Sequence, residues 1–247
     1  MYNLNTFKYF LKLYFLSIAI FTILRIVFLC FNLEGNIGLL YLFKILLIGF
    51  IIDSCCISFL ILTIYLFLLI PSFFNFNSKL VNKIFAIAFI SMLSIFIFIN
   101  IADIFYYQSY GIRLNYLAVE IFKNFKIVGP MLWKSYPVVC IVISFVILIF
   151  ILSSLVFKIR KNTYHKNSIN RWYFILIIII TFLTSSFIYI GPPFWYYSSM
   201  SENPAINQAS LNGVYTLIKS IQQQSIYERD IPQHEYFAIE NSVTEFN

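Results

Sequence analysis

The sequence has few charged residues: Asp, Glu, Lys and Arg together make up 11% of its 247 residues. Soluble domains average about 25% charged residues, because a surface in water needs charge whereas a surface in lipid excludes it. The hydrophobic share is 61%, and the mean hydropathy is +0.85. This composition excludes an ordinary soluble domain and indicates an integral membrane protein.

Histidine and cysteine are also scarce, with two and four residues. Neither histidine has a second ligand at metal-binding spacing. All four cysteines lie in apolar stretches and are typical of small buried hydrophobic residues rather than disulfides. They are Cys30, Cys55, Cys56 and Cys140. We therefore expect this chain to bind no metal or other cofactor.

Catalytic motifs are missing as well. The sequence contains no G-x-S-x-G, no P-loop and no H-E-x-x-H, which are the local patterns of common hydrolase, nucleotide and zinc sites. The acidic residues outside the apolar stretches are too scattered to nominate an acid–base pair. We therefore predict no catalytic residue in this chain.

The net charge of +7 does not indicate a nucleic-acid partner. The basic residues lie between apolar stretches, where they set membrane topology, rather than in one patch. Membrane lipids are the partner that the sequence predicts.

Five apolar stretches are long enough to cross a bilayer, which takes about 20 residues. They lie near 13–31, 39–70, 84–102, 138–157 and 172–190. We expect the second stretch to tilt or to extend beyond the bilayer, because it is long for one perpendicular crossing. The sequence therefore predicts an all-α bundle of five transmembrane helices over 1–200, followed by a short external helical tail over 201–247.

The placement of lysine and arginine predicts the orientation. Nine basic residues fall before the first stretch, between the second and third, and between the fourth and fifth. They are Lys8, Lys12, Lys79, Lys83, Lys158, Arg160, Lys161, Lys166 and Arg171. The side with more basic residues faces the cytoplasm. We therefore expect a multi-pass protein of the bacterial cytoplasmic membrane, with its N-terminus inside and its C-terminus outside.

The connection over 105–137 is predicted to contain an amphipathic helix in the outer interface, between the third and fourth spans. Its apolar residues recur at helical spacing, and charged residues occupy the other faces. The apolar positions are Leu114, Leu117, Ile121, Phe125 and Val128.

Four charged residues are candidates for a polar cluster. At about 1.5 Å of rise per residue, Arg25, Asp53 and Asp103 lie roughly 20, 25 and 30 Å from the cytoplasmic ends of their helices. Arg113 follows on the same side. The cluster could bind a lipid head group through its arginines, with the aspartates orienting them, or support an external domain. Alternatively, these residues form buried ion pairs between helices, or their side chains extend to the membrane–water interface.

The tail begins with the signals of a helix. Asn203 is a suitable N-cap and Pro204 a suitable first-turn residue. An apolar stripe then continues along the tail through Ile206, Val214, Leu217, Ile218 and Ile221. We expect this helix to dock on the bundle or on the bilayer surface.

Three local patterns resemble the membrane half of the lipoteichoic acid synthase and phosphoglycerol transferase group, within the alkaline phosphatase and sulfatase superfamily. The first pattern is Gly49 to Asp53. The second is Asp103-Ile104-Phe105-Tyr106 with Gly111-Ile112-Arg113-Leu114. The third runs from Asn203 through Asn207 to Asn212, followed by Tyr215 and Ser220. Family members commonly have Asn-Pro where this chain has Asn212-Gly213.

The resemblance implies a membrane anchor for a catalytic ectodomain, which in the family binds manganese or magnesium and transfers phosphoglycerol or hydrolyses related esters. The segment containing Asn203, Pro204, Asn207 and Asn212 is then expected to dock that ectodomain, in cis or in trans. This sequence stops at Asn247, about where such a domain starts, so no catalytic residue carries over. Two alternatives are a standalone lipid-binding or transport accessory protein and a non-functional remnant that still inserts in membranes.

Overall fold

The computed structural model describes residues 4–33, 37–73, 78–123, 125–136, 138–163, 179, 181–184, 186 and 201–230. Within these ranges the chain forms helices joined by short bends, and none of these residues belongs to a strand. The helices are α1 (Leu4–Asn32), α2 (Leu39–Phe73), α3 (Ser78–Tyr110), α4 (Tyr116–Lys123), α5 (Phe125–Ser135), α6 (Val138–Thr163), α7 (Pro204–Ala209) and α8 (Gly213–Asp230).

Four of these helices, α1, α2, α3 and α6, are long and apolar enough to cross a membrane. Their qualifying segments are Lys8–Asn32, Leu39–Ile64, Lys83–Tyr110 and Ile141–Lys161. The prediction of an all-α protein with several membrane-spanning helices is confirmed at this level. The fifth predicted span, near 172–190, lies outside the described residues except at 179, 181–184 and 186.

The bundle core lies between α1, α2 and α3, and α6 packs against α1 and α3. Large side chains from each helix fill it, including Leu13, Ile52, Leu60, Phe89 and Ile97. Burial of such side chains stabilises the packed helices through close van der Waals contact. The outward face of α6 stays apolar, with Val142, Val146 and Phe150 among its exposed residues. Such a face suits contact with lipid.

The outer end of α3 differs from the sequence prediction. The third span was expected to end near residue 102, but the helix continues to Tyr110. It stops at Gly111, which has a positive φ of 69°, a conformation that glycine adopts without the penalty of a Cβ atom. The aromatic residues Phe105, Tyr106 and Tyr107 therefore belong to α3 and not to the connection that follows.

The connection after α3 contains the helices α4 and α5, in the region where an amphipathic helix was predicted. Its beginning is attached to α3 by a hydrogen bond from the Tyr106 hydroxyl to Asn115 (3.3 Å). Its end is attached by a hydrogen bond between the Ser109 and Tyr136 hydroxyls and by edge contact between the Phe105 and Tyr136 rings. Both ends of the connection are thus fixed to the last turns of α3.

The tail folds back onto the bundle as two helices rather than one continuous stripe. It breaks at residues 210–212, between α7 and α8. Helix α7 packs on α1 and α2, while α8 packs on α3, α4 and α2. Ile206 of α7 joins Phe28 and Ile45 in one apolar cluster, and Tyr215 of α8 is buried in the main core. The junction between α7 and α8 is thereby brought onto the membrane helices.

A candidate tail-binding site formed by buried charges

A two-point ion pair joins α1 to α2. The Arg25 guanidinium donates from Nη1 to Asp53 Oδ2 (2.8 Å) and from Nη2 to Asp53 Oδ1 (2.9 Å). Arg25 is 5% exposed and Asp53 is fully buried. Such a fork of parallel bonds fixes the relative position of the two helices more strictly than a single contact does.

A second buried ion pair closes the bend after α3. Arg113 Nη1 donates to Asp103 Oδ2, and the backbone N–H of Leu114 donates to Asp103 Oδ1 (2.6 Å). The Arg113 guanidinium also lies over the Phe28 ring, 3.7 Å from its centroid, a geometry that favours a cation. Asp103 therefore holds the bend while Phe28 of α1 supports the arginine.

The Arg25 side chain occupies the space that a side chain at position 49 would fill. A Cβ atom built on Gly49 would overlap the Arg25 guanidinium, so glycine in α2 leaves the space through which Arg25 reaches Asp53. The Gly49 to Asp53 pattern seen in the sequence thus has a physical basis in this structure: the glycine admits the cation and the aspartate, one helical turn later, binds it.

The remaining arginine donors point at backbone carbonyls at the end of α7. Arg25 Nε donates to Ala209 O (3.0 Å), and Arg113 donates to Gln208 O from Nε (3.0 Å) and Nη2 (2.6 Å). The last carbonyls of a helix lack helical partners and attract cations. The two arginines therefore bind the tail through its backbone rather than through particular side chains.

The beginning of α8 is bound by side-chain acceptors on α2, on α3 and at Asn212 itself. Asn212 Nδ2 donates to Asp53 Oδ1 (2.8 Å), while Asn212 Oδ1 accepts from the Val214 N–H (2.9 Å), as an N-cap does. The Gly213 N–H donates to Asn100 Oδ1 of α3 (3.1 Å). Cations thus meet the end of α7 and acceptors meet the start of α8, which matches the polarity of helix ends.

Gly213 also lies where a side chain would meet a neighbouring residue. A Cβ atom on Gly213 would lie 2.8 Å from Cβ and Cγ of Asp103, closer than real Cβ contacts allow. The junction therefore approaches α3 closely enough that a side chain at this position would force it away.

The structure brings together all four predicted cluster residues and one predicted tail residue. Arg25, Asp53, Asp103, Arg113 and Asn212 are each at most 6% exposed. We call these five residues, together with the carbonyls of Gln208, Ala209 and Leu211 that the arginines bind, the charge clamp.

The other predicted tail residues shape the turn before α7. Asn203 caps that helix by accepting from the Ala205 N–H (2.9 Å), and Pro204 begins it. The Asn207 side chain accepts from the Ser201 N–H (2.8 Å) and donates to the Ser201 carbonyl (2.6 Å). These residues form the local structure that presents the end of α7 to the arginines.

Sequence reasoning missed Asn100 and the backbone acceptors. Asn100 is a polar residue in an apolar helix, three positions before Asp103. That spacing places both on one face of α3, so this signal was available. The carbonyls of Gln208, Ala209 and Leu211 have no sequence signal, because every residue carries one.

The charge clamp offers little chemistry beyond binding. Among the described residues, no group of three His, Cys, Asp or Glu side chains could hold a metal ion. A phosphate group could reach the guanidinium groups only by displacing the tail carbonyls, since both arginines are buried beneath them. Burial also raises the pKa of Tyr215, on α8 next to the clamp, so its phenol stays neutral. This arrangement suits a structural attachment.

Comparisons with known proteins give no match to a family model, a curated protein or a solved structure. The resemblance to the lipoteichoic acid synthase group therefore remains a prediction from local motifs.

Proposed function

We propose that this chain is a membrane-anchoring module that holds its tail in one fixed position at the outer face of the bundle. The observation that carries this proposal is the charge clamp, in which Arg25 and Arg113 bind the carbonyls of Gln208, Ala209 and Leu211. A module whose task is only to stay in the membrane does not require such an attachment.

The energetic cost of the clamp supports a positioning role. A charged side chain within a membrane-spanning helix costs at least about 2.5–3.5 kcal/mol at the bilayer centre, and an unpaired buried charge is strongly destabilising. Here the charges satisfy one another and the tail completes their hydrogen bonding. The bundle and the tail therefore stabilise each other, and the direction in which α8 leaves the bundle is fixed.

We propose that the tail lies outside the cytoplasm. α7 contacts the end of the bundle formed by the last turns of α1, the first turns of α2 and the last turns of α3, through Phe28, Ile45 and Ile104. The basic residues at the start of α1 and at the end of α6 lie at the opposite ends of those helices. Basic residues favour the cytoplasmic side, which gives a cytoplasmic N-terminus in a bacterial membrane.

We propose further that the module serves a catalytic ectodomain of the lipoteichoic acid synthase type, in cis or in trans. The clamp residues Asp53, Asp103 and Arg113 and the tail residue Asn212 are among the positions that carry the motif resemblance. In that group the ectodomain supplies the divalent metal and the phosphoglycerol transfer. The part assigned to this chain is to place such a domain relative to the lipid surface.

Distances between two spin labels, measured by double electron–electron resonance, test the positioning role. Spin labels on Ser154→Cys of α6 and Ser225→Cys of α8, both exposed, report how α8 sits on the bundle, in a background with the four native cysteines replaced by alanine. We expect one narrow distance distribution in nanodiscs. Arg113→Gln should broaden it, and Asn212→Ala should do so more mildly.

Lys161→Gln is the matched control, because it removes a positive charge from an exposed site on α6 and should leave the distribution narrow. Two results would contradict the positioning role. One is a broad distance distribution in the labelled protein with the clamp intact, and the other is a distribution that stays narrow in both Arg113→Gln and Asn212→Ala.

The ectodomain is tested separately with an antibody to the tail segment 201–247 on native membranes. A band larger by a whole domain than the 29.1 kDa chain supports attachment in cis. A band at that mass, with a co-purifying metal-dependent transferase or hydrolase, supports action in trans. A band at that mass without such a protein contradicts the ectodomain role.

A further inference from the structure

We propose that the segment Tyr116–Ser135, which contains α4 and α5 and is called the interfacial arm below, binds the acidic phospholipid head groups of the leaflet on which it lies. This goes beyond the anchoring role, because it assigns a lipid preference to a surface that is separate from the charge clamp.

The position of the interfacial arm restricts what it can contact. It follows α3 and precedes α6, and both helices can cross a membrane. The last span residue before it is Tyr110, and α6 begins at Val138. Tyr136 is bound to Ser109 at the end of α3. Since both ends are fixed where spans leave the membrane, the arm stays at the bilayer surface.

The interfacial arm exposes large apolar side chains that water would not favour. Met131 is 64% exposed, Trp133 63% and Leu117 57%. Phe122 is also largely exposed. Amphipathic helices with such side chains bury them at the boundary between head groups and acyl chains, and tryptophan is enriched at that level. The bilayer surface lies within reach of these exposed side chains, because both ends of the arm are attached where spans leave the membrane.

The charges of the interfacial arm favour acidic lipids over neutral ones. It carries Lys123, Lys126 and Lys134, all exposed, and a single acidic residue, Glu120. Glu120 pairs with Lys123 (2.6 Å). No ion pair among the described residues engages Lys126 or Lys134. Long lysine side chains can lie along an apolar surface and extend their ammonium groups to head-group phosphates.

Quenching of Trp133 fluorescence by brominated lipids tests this assignment. The full chain is placed in nanodiscs of equal parts phosphatidylglycerol and phosphatidylcholine, with bromine on one lipid or the other. The Trp133 signal is the difference between the wild-type protein and Trp133→Phe. We expect brominated phosphatidylglycerol to quench this signal about twice as strongly as brominated phosphatidylcholine, because two lysines enrich acidic lipid locally.

Lys126→Gln combined with Lys134→Gln should bring the two quenching values to parity without loss of total quenching. The matched control is Lys158→Gln with Lys161→Gln, which removes the same charge from exposed sites about 30 Å along α6 from Val138. This control should keep the preference for phosphatidylglycerol.

Three results would overturn the assignment. They are the absence of quenching of Trp133 by either lipid, equal quenching by both lipids in the wild-type arm, and a preference that survives the loss of Lys126 and Lys134. All variants change exposed side chains only, so failure to fold is not expected to obscure the outcome, and gel filtration of each nanodisc preparation checks it. None of these results depends on the state of the charge clamp.

Discussion

Arg25 of α1 and Arg113 of the bend after α3 donate to the same backbone carbonyl, that of Leu211, over 3.5 and 3.2 Å. Two guanidinium groups that share one acceptor repel each other, and each is compensated by its own carboxylate, Asp53 or Asp103. The carbonyl of Leu211 therefore sits where two independent ion pairs converge. Moving the tail would disturb both pairs at once, which makes the attachment cooperative.

Removing one partner of the first ion pair should be far more harmful than removing both. Asp53→Ala or Arg25→Ala leaves a buried charge without a partner, at a cost of about 3–5 kcal/mol in the free energy of unfolding. Arg25→Met combined with Asp53→Leu should recover more than half of that loss. Unfolding in mixed micelles with increasing dodecyl sulfate measures these values.

Lys123→Ala serves as the control for that series, since its pair with Glu120 is exposed and such pairs contribute less than about 1 kcal/mol. If Asp53→Ala lowered the free energy of unfolding no more than Lys123→Ala does, the ion pair between Arg25 and Asp53 would not contribute to stability.

Gly49→Ala should destabilise the protein by about 1–3 kcal/mol, the usual cost of forcing extra volume into a packed site. The added methyl group meets the Arg25 guanidinium, which cannot move away without leaving Asp53. Gly38→Ala is the comparison, because its Cβ would be an ordinary 3.6 Å from the nearest atom, on Tyr41. The midpoint of thermal unfolding should be lower in Gly49→Ala than in Gly38→Ala. Equal midpoints would contradict the close packing of Arg25 on Gly49.

Gly111→Ala tests backbone conformation rather than space. No heavy atom lies within 4 Å of the Cβ position, but φ is +69°. The cost should therefore be about 1–2 kcal/mol from backbone strain alone. Gly111→Asn should be milder, because asparagine tolerates this conformation better than alanine does. The same unfolding assay ranks the two variants, and the reverse order would rule out strain as the cause.

Asn212→Ala should cost about 1 kcal/mol, the usual value of a lost N-cap, and somewhat more because Asp53 loses a donor. Asn212→Asp keeps the cap but adds a carboxylate beside Asp53 (the present amide nitrogen lies 2.8 Å from Oδ1). The pKa of the new carboxylate is therefore higher in the folded than in the unfolded protein.

The sign of the resulting pH dependence follows from this difference. The new carboxylate destabilises the fold once the pH exceeds its unfolded pKa of about 4, and protonation relieves the loss. The deficit of Asn212→Asp relative to Asn212→Ala should be greater at about pH 8 than at about pH 5. An equal deficit at both values would show that the new carboxylate does not face Asp53.

Phe28→Leu should weaken the second ion pair without removing it. The Phe28 ring lies under the Arg113 guanidinium, and such a contact contributes about 0.5–2 kcal/mol, more when it is shielded from water. Phe28→Tyr keeps the ring face and should retain most of this contribution. Tail mobility, read from a spin label at Ser225→Cys, should rise in the first variant and not in the second. Equal mobility in the two would argue against the ring contact.

Hydropathy was sufficient to predict the four membrane-spanning helices found among the described residues, because runs of about 20 apolar residues are typical of membrane spans. The start of α2 at Leu39 agrees with the predicted bound. Rise per residue also placed Arg25 and Asp53 at similar heights, and the structure pairs them. Helix α3 continues to Tyr110, past the span predicted near 84–102, because Arg113 and the Leu114 N–H compensate the buried charge of Asp103.

Two features of the tail were not predicted from the sequence: its break into two helices and its attachment to the charged cluster. Its apolar residues were read as one stripe through Ile206 and Val214, although the pair Asn212-Gly213 is a reasonable start for a new helix. The cluster and the tail were also treated as two separate sites. They form one site because the arginines bind carbonyls, and a backbone acceptor leaves no trace in the sequence.

Hydrogen–deuterium exchange of the segment 205–216 in lipid nanodiscs tests whether the charge clamp holds the tail on the bundle. We expect slow exchange of the Gly213 and Val214 amides in the wild-type protein, because both are buried and hydrogen-bonded, the first to Asn100 of α3 and the second to the Asn212 side chain. Exchange of this segment should rise by about tenfold or more in Arg113→Gln while α3 stays protected. Fast exchange in the wild-type protein, or protection unchanged by Arg113→Gln, would contradict the charge clamp.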